Sequence, residues 1–226
     1  MIVGTFMVET SKIAYFDAPG PQNTDHVAVM IKERVEKGDV GHVIVCSITG
    51  KTALKIADAV RDFGVHVCCV TGAASWQIHG YKWPLIRGNI RRKLEELKVD
   101  IVERTPSTLS GDTIDYGLAR YGWVPASWIV AETLEAVGGY GLKTAVEGVL
   151  IATDSGVVPP YTNVISVAGT GSGADTAILA KSTFSACMFS REFNKRFQLF
   201  EILAMPKNKK WHKAIDAGEF HVKETT

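Results

Sequence analysis

Short β-branched runs alternate with amphipathic stretches along most of this chain, and that alternation limits what it can fold into. Strand–helix repetition of this kind favours a largely parallel sheet covered on both faces. Residues 12–16 read as a short strand that ends in the turn residues DAPGP. Asn23 or Thr24 then caps a helix reaching about residue 37, with Val27, Met30, Ile31 and Val35 on one face and Gly38 as its stop. Residues 42–46, HVIVC, form a buried strand. A helix over 51–63 follows, with Ala53, Ile56, Ala57 and Val60 on one face, and then a strand over 65–70. Together these make a βαβ unit of ordinary length.

The later elements are read in the same way. Ile86, Ile90, Leu94 and Leu97 mark a third helix, and its Arg87, Arg91, Arg92 and Lys93 read as a solvated face. A strand at 99–102 and a Ser/Thr-rich loop at 105–111 come next. Pro125 suits the first turn of a helix that ends at Gly138 and Gly139. Another helix runs over about 140–155, burying Leu142, Ala145, Val146, Val149 and Leu150. Residues 163–168, 176–181 and 198–204 read as the last strands, and 206–226 as a polar, loosely packed tail. The expected fold is a single three-layer α/β/α domain with a mostly parallel mixed sheet and a core spanning about 11–205.

Composition narrows the function classes. The chain has 226 residues, enough for a sizeable core without disulfides or a structural metal. Its net charge of +1 argues against a broad electrostatic grip on nucleic acid. No apolar run reaches the roughly 18 residues of a membrane span. The N-terminus lacks a basic segment and a small-residue cleavage site, so it does not read as a signal peptide. Cys46, Cys68, Cys69 and Cys187 fit a reducing cytosol, and cytoplasmic localisation is expected. Adjacent Cys68 and Cys69 point to opposite faces of a strand, and the histidines show no HExxH pattern, so no metal is expected.

The sharpest chemical signal is SITGKT at 47–52, between a buried strand and an amphipathic helix. Gly50 allows close backbone approach, and the helix N–H groups and dipole favour an anion. Ser47, Thr49 and Thr52 add hydroxyls and Lys51 a charge, which together suit a phosphate. Val45 stands where a Walker A loop needs glycine. The alternative is a capped strand–helix turn. A second signal is GTGSGAD at 169–175. Gly169, Gly171 and Ala174 match G-x-G-x-x-A, although a glycine-rich anion-binding turn containing Thr170 and Gly173 suits the context better than a dinucleotide site. Asp175 either orients a hydroxyl, acts as a base or caps the turn. Asn23, Gly72 with Trp76, and Thr105 with Ser107 and Ser110 lie at other strand ends. Ligands in open α/β sheets bind in the crevice at the carboxyl ends of strands, which draws these positions together. No nucleophile–base–orienter arrangement is visible.

The segments FDAPGPQNT, SITGKTA and AGTGSGADTA, in that order, resemble the stand-alone proteins similar to the pyruvate kinase C-terminal domain. The resemblance covers about residues 11–205. It implies a three-layer α/β/α fold. In many pyruvate kinases the matching loop holds a phosphate of a sugar bisphosphate effector, which would give that role to Ser47, Thr49, Gly50, Lys51 and Thr52. It implies no pyruvate kinase activity, because the catalytic barrel domain has no counterpart in this sequence. It makes flavin mononucleotide or a sugar phosphate the expected ligand, and it favours a homo-oligomer. The alternative is an enzyme that uses the same pocket, flavin-dependent or acting on a phosphorylated substrate. The chain differs from pyruvate kinases by a long insertion between its third and fourth central strands.

Overall fold

A computed structural model describes residues 10–109, 113–119 and 121–209. In it a seven-stranded mixed sheet lies between two helical layers. The strands are β1 (Ala14–Phe16), β2 (His42–Cys46), β3 (His66–Val70), β4 (Asp100–Val102), β5 (Asn163–Ala168), β6 (Thr176–Lys181) and β7 (Gln198–Pro206). Their spatial order is β1-β7-β6-β5-β2-β3-β4. β6 is antiparallel to both neighbours, and every other pairing is parallel. The α/β class and the mostly parallel mixed sheet therefore follow the sequence pattern.

The helices are α1 (Thr24–Val35), α2 (Lys51–Val60), α3 (Gly88–Glu96), α4 (Ile114–Ala119) and α5 (Ala126–Asp154). The first three share one face of the sheet and α5 covers the other. Strand alternation sorts the core accordingly. Val43, Val45, Cys69, Ile165 and Val167 face α1–α3, whereas Ile44, Cys68, Val164 and Ala168 face α5. Cys68 and Cys69 thus point to opposite layers, as strand geometry requires.

Boundaries shift by a few residues. β1 is shorter than expected and pairs with Ala204–Pro206 of β7. α2 stops at Val60 and tightens into a 3-10 turn at Arg61–Phe63 before Gly64. The expected break is present: Gly139, with φ of 81° and ψ of 174°, is non-helical and divides α5 into two helical halves. The short α4 was not legible in its sequence. The polar tail corrects differently. Its first residues are tied to the sheet edge: Lys207 N–H donates to Phe16 O at 2.7 Å and Asn208 Nδ2 to Asp17 O at 2.8 Å. Trp211 and the rest of that tail lie outside the described residues.

α5 approaches the sheet through small residues. A Cβ on Gly148 would collide with Cys46 Sγ. Ser166 Oγ donates to Ala145 O at 2.7 Å and Cys46 Sγ to Thr144 O at 3.3 Å, so polar side chains under the helix are satisfied by its carbonyls. Overpacking such a contact costs about 1–3 kcal/mol. We expect Gly148→Val to destabilise the fold by that amount, read as a lower urea midpoint with an unchanged slope.

Candidate functional site

The strand directions bring the sequence motifs to one edge of the sheet. Cys46 pairs with Val70, Val70 with Val102, and Ala168 with Thr176, while Phe16 pairs with Pro206. The loops after β1, β2, β3, β4, β5 and β7 therefore all leave from the same side. β2 and β5 are adjacent and parallel, and the helix after β2 lies on the opposite face from the helix before β5. This is a topological switch point, where crevices open at the carboxyl ends of strands. Residues 47–52 and 169–175 flank it.

The 47–52 loop is held by its neighbours. Ser47 N–H donates to Val70 O at 2.9 Å, Gly50 N–H to Ser47 O at 3.2 Å, and Thr71 Oγ1 to Ile48 O at 2.8 Å. Gly50 is left-handed, with φ of 77°. A Cβ there would lie 2.9 Å from both Ile90 Cγ2 and Leu94 Cδ1 of α3. Its glycine is thus demanded by helix packing on one side, in addition to the turn itself. No side chain caps α2, and its first intrahelical bond is Leu54 N–H to Gly50 O at 2.9 Å. The amides ahead of that bond lie at the positive end of the helix dipole. Thr49 and Lys51 are exposed beside them, Thr52 is half-buried and Ser47 is buried.

The 169–175 loop is interlocked with the loop after β1. Asp175 is fully buried. Its Oδ2 accepts from Gly20 N–H at 3.0 Å and Thr170 N–H at 2.9 Å, and its Oδ1 from Thr176 Oγ1 at 2.8 Å. Ala174 N–H donates to Thr24 Oγ1 at 3.0 Å, and a Cβ on Gly173 would strike Pro21. Gly169 closes against the Gly173 carbonyl, and Gly171 is exposed with φ of 80°. Asn23 Nδ2 donates to Ala18 O at 2.8 Å, so that side chain serves its own turn. Asp175 is the turn-organising carboxylate among the readings open to it in the sequence.

The remaining positions stand apart. Gly72 lies under the Trp76 ring, which would sit 2.6 Å from a Cβ there. Trp76 also meets Tyr81 at 5.4 Å between ring centroids, so its faces serve a local aromatic cluster. Thr105 and buried Ser107 line a broad groove of about 490 Å³ with Thr108, Thr113, Asp115, Asp154 and Ser185. Residues of 47–52 and 169–175 do not line that groove. Ser110 lies outside the described residues.

Sequence reasoning missed a buried ionic cluster on α5. Lys143 Nζ lies 3.3 Å from Glu147 Oε2, and Leu109 N–H donates to Glu147 Oε1 at 2.8 Å. The ammonium also sits 4.9 Å from the centre of the Tyr140 ring. Burial alone would lower the Lys143 pKa, but Glu147, Tyr140 and Glu135 carry it above its usual value. Glu135 is buried too, and its Oε2 has no hydrogen-bond partner among the described residues. Burial pushes its carboxyl up to about 7, against the opposing pull of Lys143 and with repulsion from Glu132 and Glu147 adding to the rise. The legible signal was Lys and Glu at i, i+4 inside an otherwise apolar helix.

Other chemistry is restricted. Burial pushes the Cys46 thiol up to about 12 and raises Cys68 and Cys69 as well, which disfavours thiolate nucleophiles at neutral pH. Among the described residues no group of three or more His, Cys, Asp or Glu side chains is disposed to hold a metal ion. No described helix is long and apolar enough to cross a membrane. No known protein-family model matches the chain.

Two outcomes follow from these carboxylates. Asp175→Ala strands three donors, each costing about 1–3 kcal/mol when buried and unpaired. It should lower ligand-free stability by about 3 kcal/mol or more in urea unfolding. Glu135 behaves oppositely. The folded protein holds its proton to about 7, whereas an unfolded chain releases it near ~4.3. Folding therefore takes up a proton across that window, and stability falls as pH rises through it. Glu135→Gln should flatten this dependence and stabilise the protein at pH 8 by on the order of 2 kcal/mol. Thermal unfolding at pH 5, 6, 7 and 8 checks both the sign and the window.

Proposed function

We propose that this protein binds a phosphorylated small molecule at the carboxyl edge of its sheet, with the phosphate seated on residues 47–52. The observation that carries the reading is the uncapped N-terminus of α2 at the β2–β5 switch point, with Lys51 and Thr49 exposed beside it. Free amides at a helix start, its dipole, a hydroxyl and an ammonium are complementary to a phosphate dianion. The 169–175 loop then acts as a wall, since Asp175 and Gly173 are committed to the loop after β1. Flavin mononucleotide or a sugar phosphate is the ligand class, in keeping with the resemblance to pyruvate kinase C-terminal domains. Pyruvate kinase activity and a resident metal form no part of this reading, and neither does nucleic-acid binding. A cytoplasmic protein is the setting it assumes.

A second reading is an enzyme that draws on the buried carboxylate of α5. The Glu135 carboxyl, pushed up to about 7, favours it, because that range suits a general acid or base at neutral pH. Turnover of a ligand found by binding, abolished in Glu135→Gln with affinity retained, would select the enzyme reading.

Thermal shift with flavin mononucleotide, sugar bisphosphates, nucleotides and phosphoenolpyruvate tests the binding reading. A ligand at ~100 times its Kd adds about 2.7 kcal/mol. For a chain of this length that is roughly 5–10 °C in Tm. We expect a shift from one of these ligands that Lys51→Ala reduces or removes. A ligand whose shift is untouched by Lys51→Ala would place the phosphate elsewhere.

A further inference from the structure

The first half of α5 is apolar on both of its sides. Its inward side carries Ala131, Leu134, Glu135 and Gly138. Its outward side carries Ile129, Thr133, Ala136 and Val137, all exposed, with Glu132 the one exposed charge between residues 126 and 138. Ile129 is 57% exposed and Val137 69%. Large apolar side chains on the outward side as well as the inward one are what a helix covered on both sides carries.

Exposed apolar side chains also precede the helix. Trp123 is 68% exposed and Val124 70% in the turn before it, and Ile114 of α4 is 82% exposed. α4 is fastened to the start of α5 by Ser127 Oγ donating to Asp115 Oδ2 at 2.5 Å and by the Tyr116 and Trp128 rings, 6.4 Å apart. The exposed apolar side chains among the described residues of 114–137 sum to on the order of 1,000 Å², comparable with the roughly 800 Å² per partner of a standard interface.

We propose that this face is the interface of a homodimer, in which the 126–138 helices of two copies pair antiparallel about a two-fold axis at Thr133. Ile129, Thr133 and Val137 follow one another at i, i+4 and i+8, so the strip is symmetric about its centre. An antiparallel two-fold sets Ile129 of one copy against Val137 of the other and brings the two Thr133 positions together. Ala136 is small enough to let the helices approach closely. Thr133 suits a dry axis, because its hydroxyl already donates to Ile129 O at 2.6 Å. Charge argues for the same occupant. Arg120 is the one basic residue in the sequence between residues 105 and 142, so the segment that forms the face does not itself supply the cationic rim that holds amphipathic segments on anionic lipid. The inference is independent of the phosphate site.

Sedimentation velocity on the whole chain at 1–100 µM, as an order-of-magnitude range, tests it. The expected species has twice the 24.6 kDa of the chain. The double variant Ile129→Glu with Val137→Glu should raise the dimer dissociation constant about 100-fold or more, because it places carboxylates in an apolar centre. Circular dichroism should stay unchanged, since both side chains are exposed. Leu199→Glu, exposed on β7, should leave the dimer intact. Thr133→Cys in a Cys187→Ser background should form a covalent dimer on mild oxidation. A monomeric wild-type protein across the range would overturn the proposal, as would a dimer that the double variant leaves unaltered. A dimer broken by the double variant but not cross-linked through position 133 would overturn the antiparallel register. Co-flotation of the wild type with neutral phosphatidylcholine vesicles, lost in the double variant, would assign the face to a membrane surface instead.

Discussion

The Asp175 carboxylate ties the loops after β1 and β5 together at the carboxyl edge of the sheet. It is fully buried, and it takes backbone N–H groups from two loops that are far apart in sequence, Gly20 and Thr170. Charge-assisted bonds of this kind are stronger than neutral ones and lock both loops in a single arrangement. Thr24 repeats the link from the other side by accepting from Ala174 N–H. Gly141 of α5 comes so close to Thr176 and Asp175 that a Cβ there would lie 2.8 Å from Asp175 Oδ1. One acidic side chain thereby sets the mutual position of the first loop, the β5–β6 hairpin and the second half of α5.

That frame explains how labour divides between the two glycine-containing loops. In 169–175 the glycines are consumed by internal closeness: Gly173 against Pro21, and Gly169 against the Gly173 carbonyl. In 47–52 the single glycine turns the chain and makes room for Ile90 and Leu94, while the amides of α2 stay clear of any side-chain cap. A rigid wall next to an open helix start is the arrangement that the proposed phosphate reading uses. Loops ordered by buried hydrogen bonds lose little further entropy when a ligand arrives.

The opposite face of the sheet has a different character. There α5 lies on the strands through Gly148 and on the carbonyls of Thr144 and Ala145, and it carries a Lys143–Glu147 pair under the loop that holds Leu109. A buried pair of this type is a poor source of net stability, since desolvation offsets attraction. Its evident effect is positional, because it fastens the 105–109 segment to the helix. Glu135 adds a second carboxylate beside a single ammonium, and burial resolves the imbalance by holding a proton to about neutrality.

The sequence by itself determined the periodic part of the fold. Strands 42–46, 163–168 and 176–181 were readable to the residue, and so were the buried faces of α2 and of the second half of α5, because burial on one side imposes a period on apolar residues. Gly139 was readable as a break because no other residue adopts its backbone so readily. The candidate loops were readable as strand-end chemistry, and strand direction alone brought 47–52 beside 169–175. What only the tertiary structure decided were the pairings between distant residues. Asp175 reads equally well as base, orienter or cap until Gly20 arrives 155 positions away to claim it. Asn23 reads as a ligand contact until its amide turns back to Ala18. Thr105 shares the strand-end pattern, yet its loop follows α5 into a separate groove. Glu135 and Glu147 look like solvated interruptions of an apolar run until the folded chain buries them. The physical reason is the same in each case: periodicity reports how much of a residue is buried, whereas a hydrogen bond depends on which atom of the folded chain lies within about 3 Å of it.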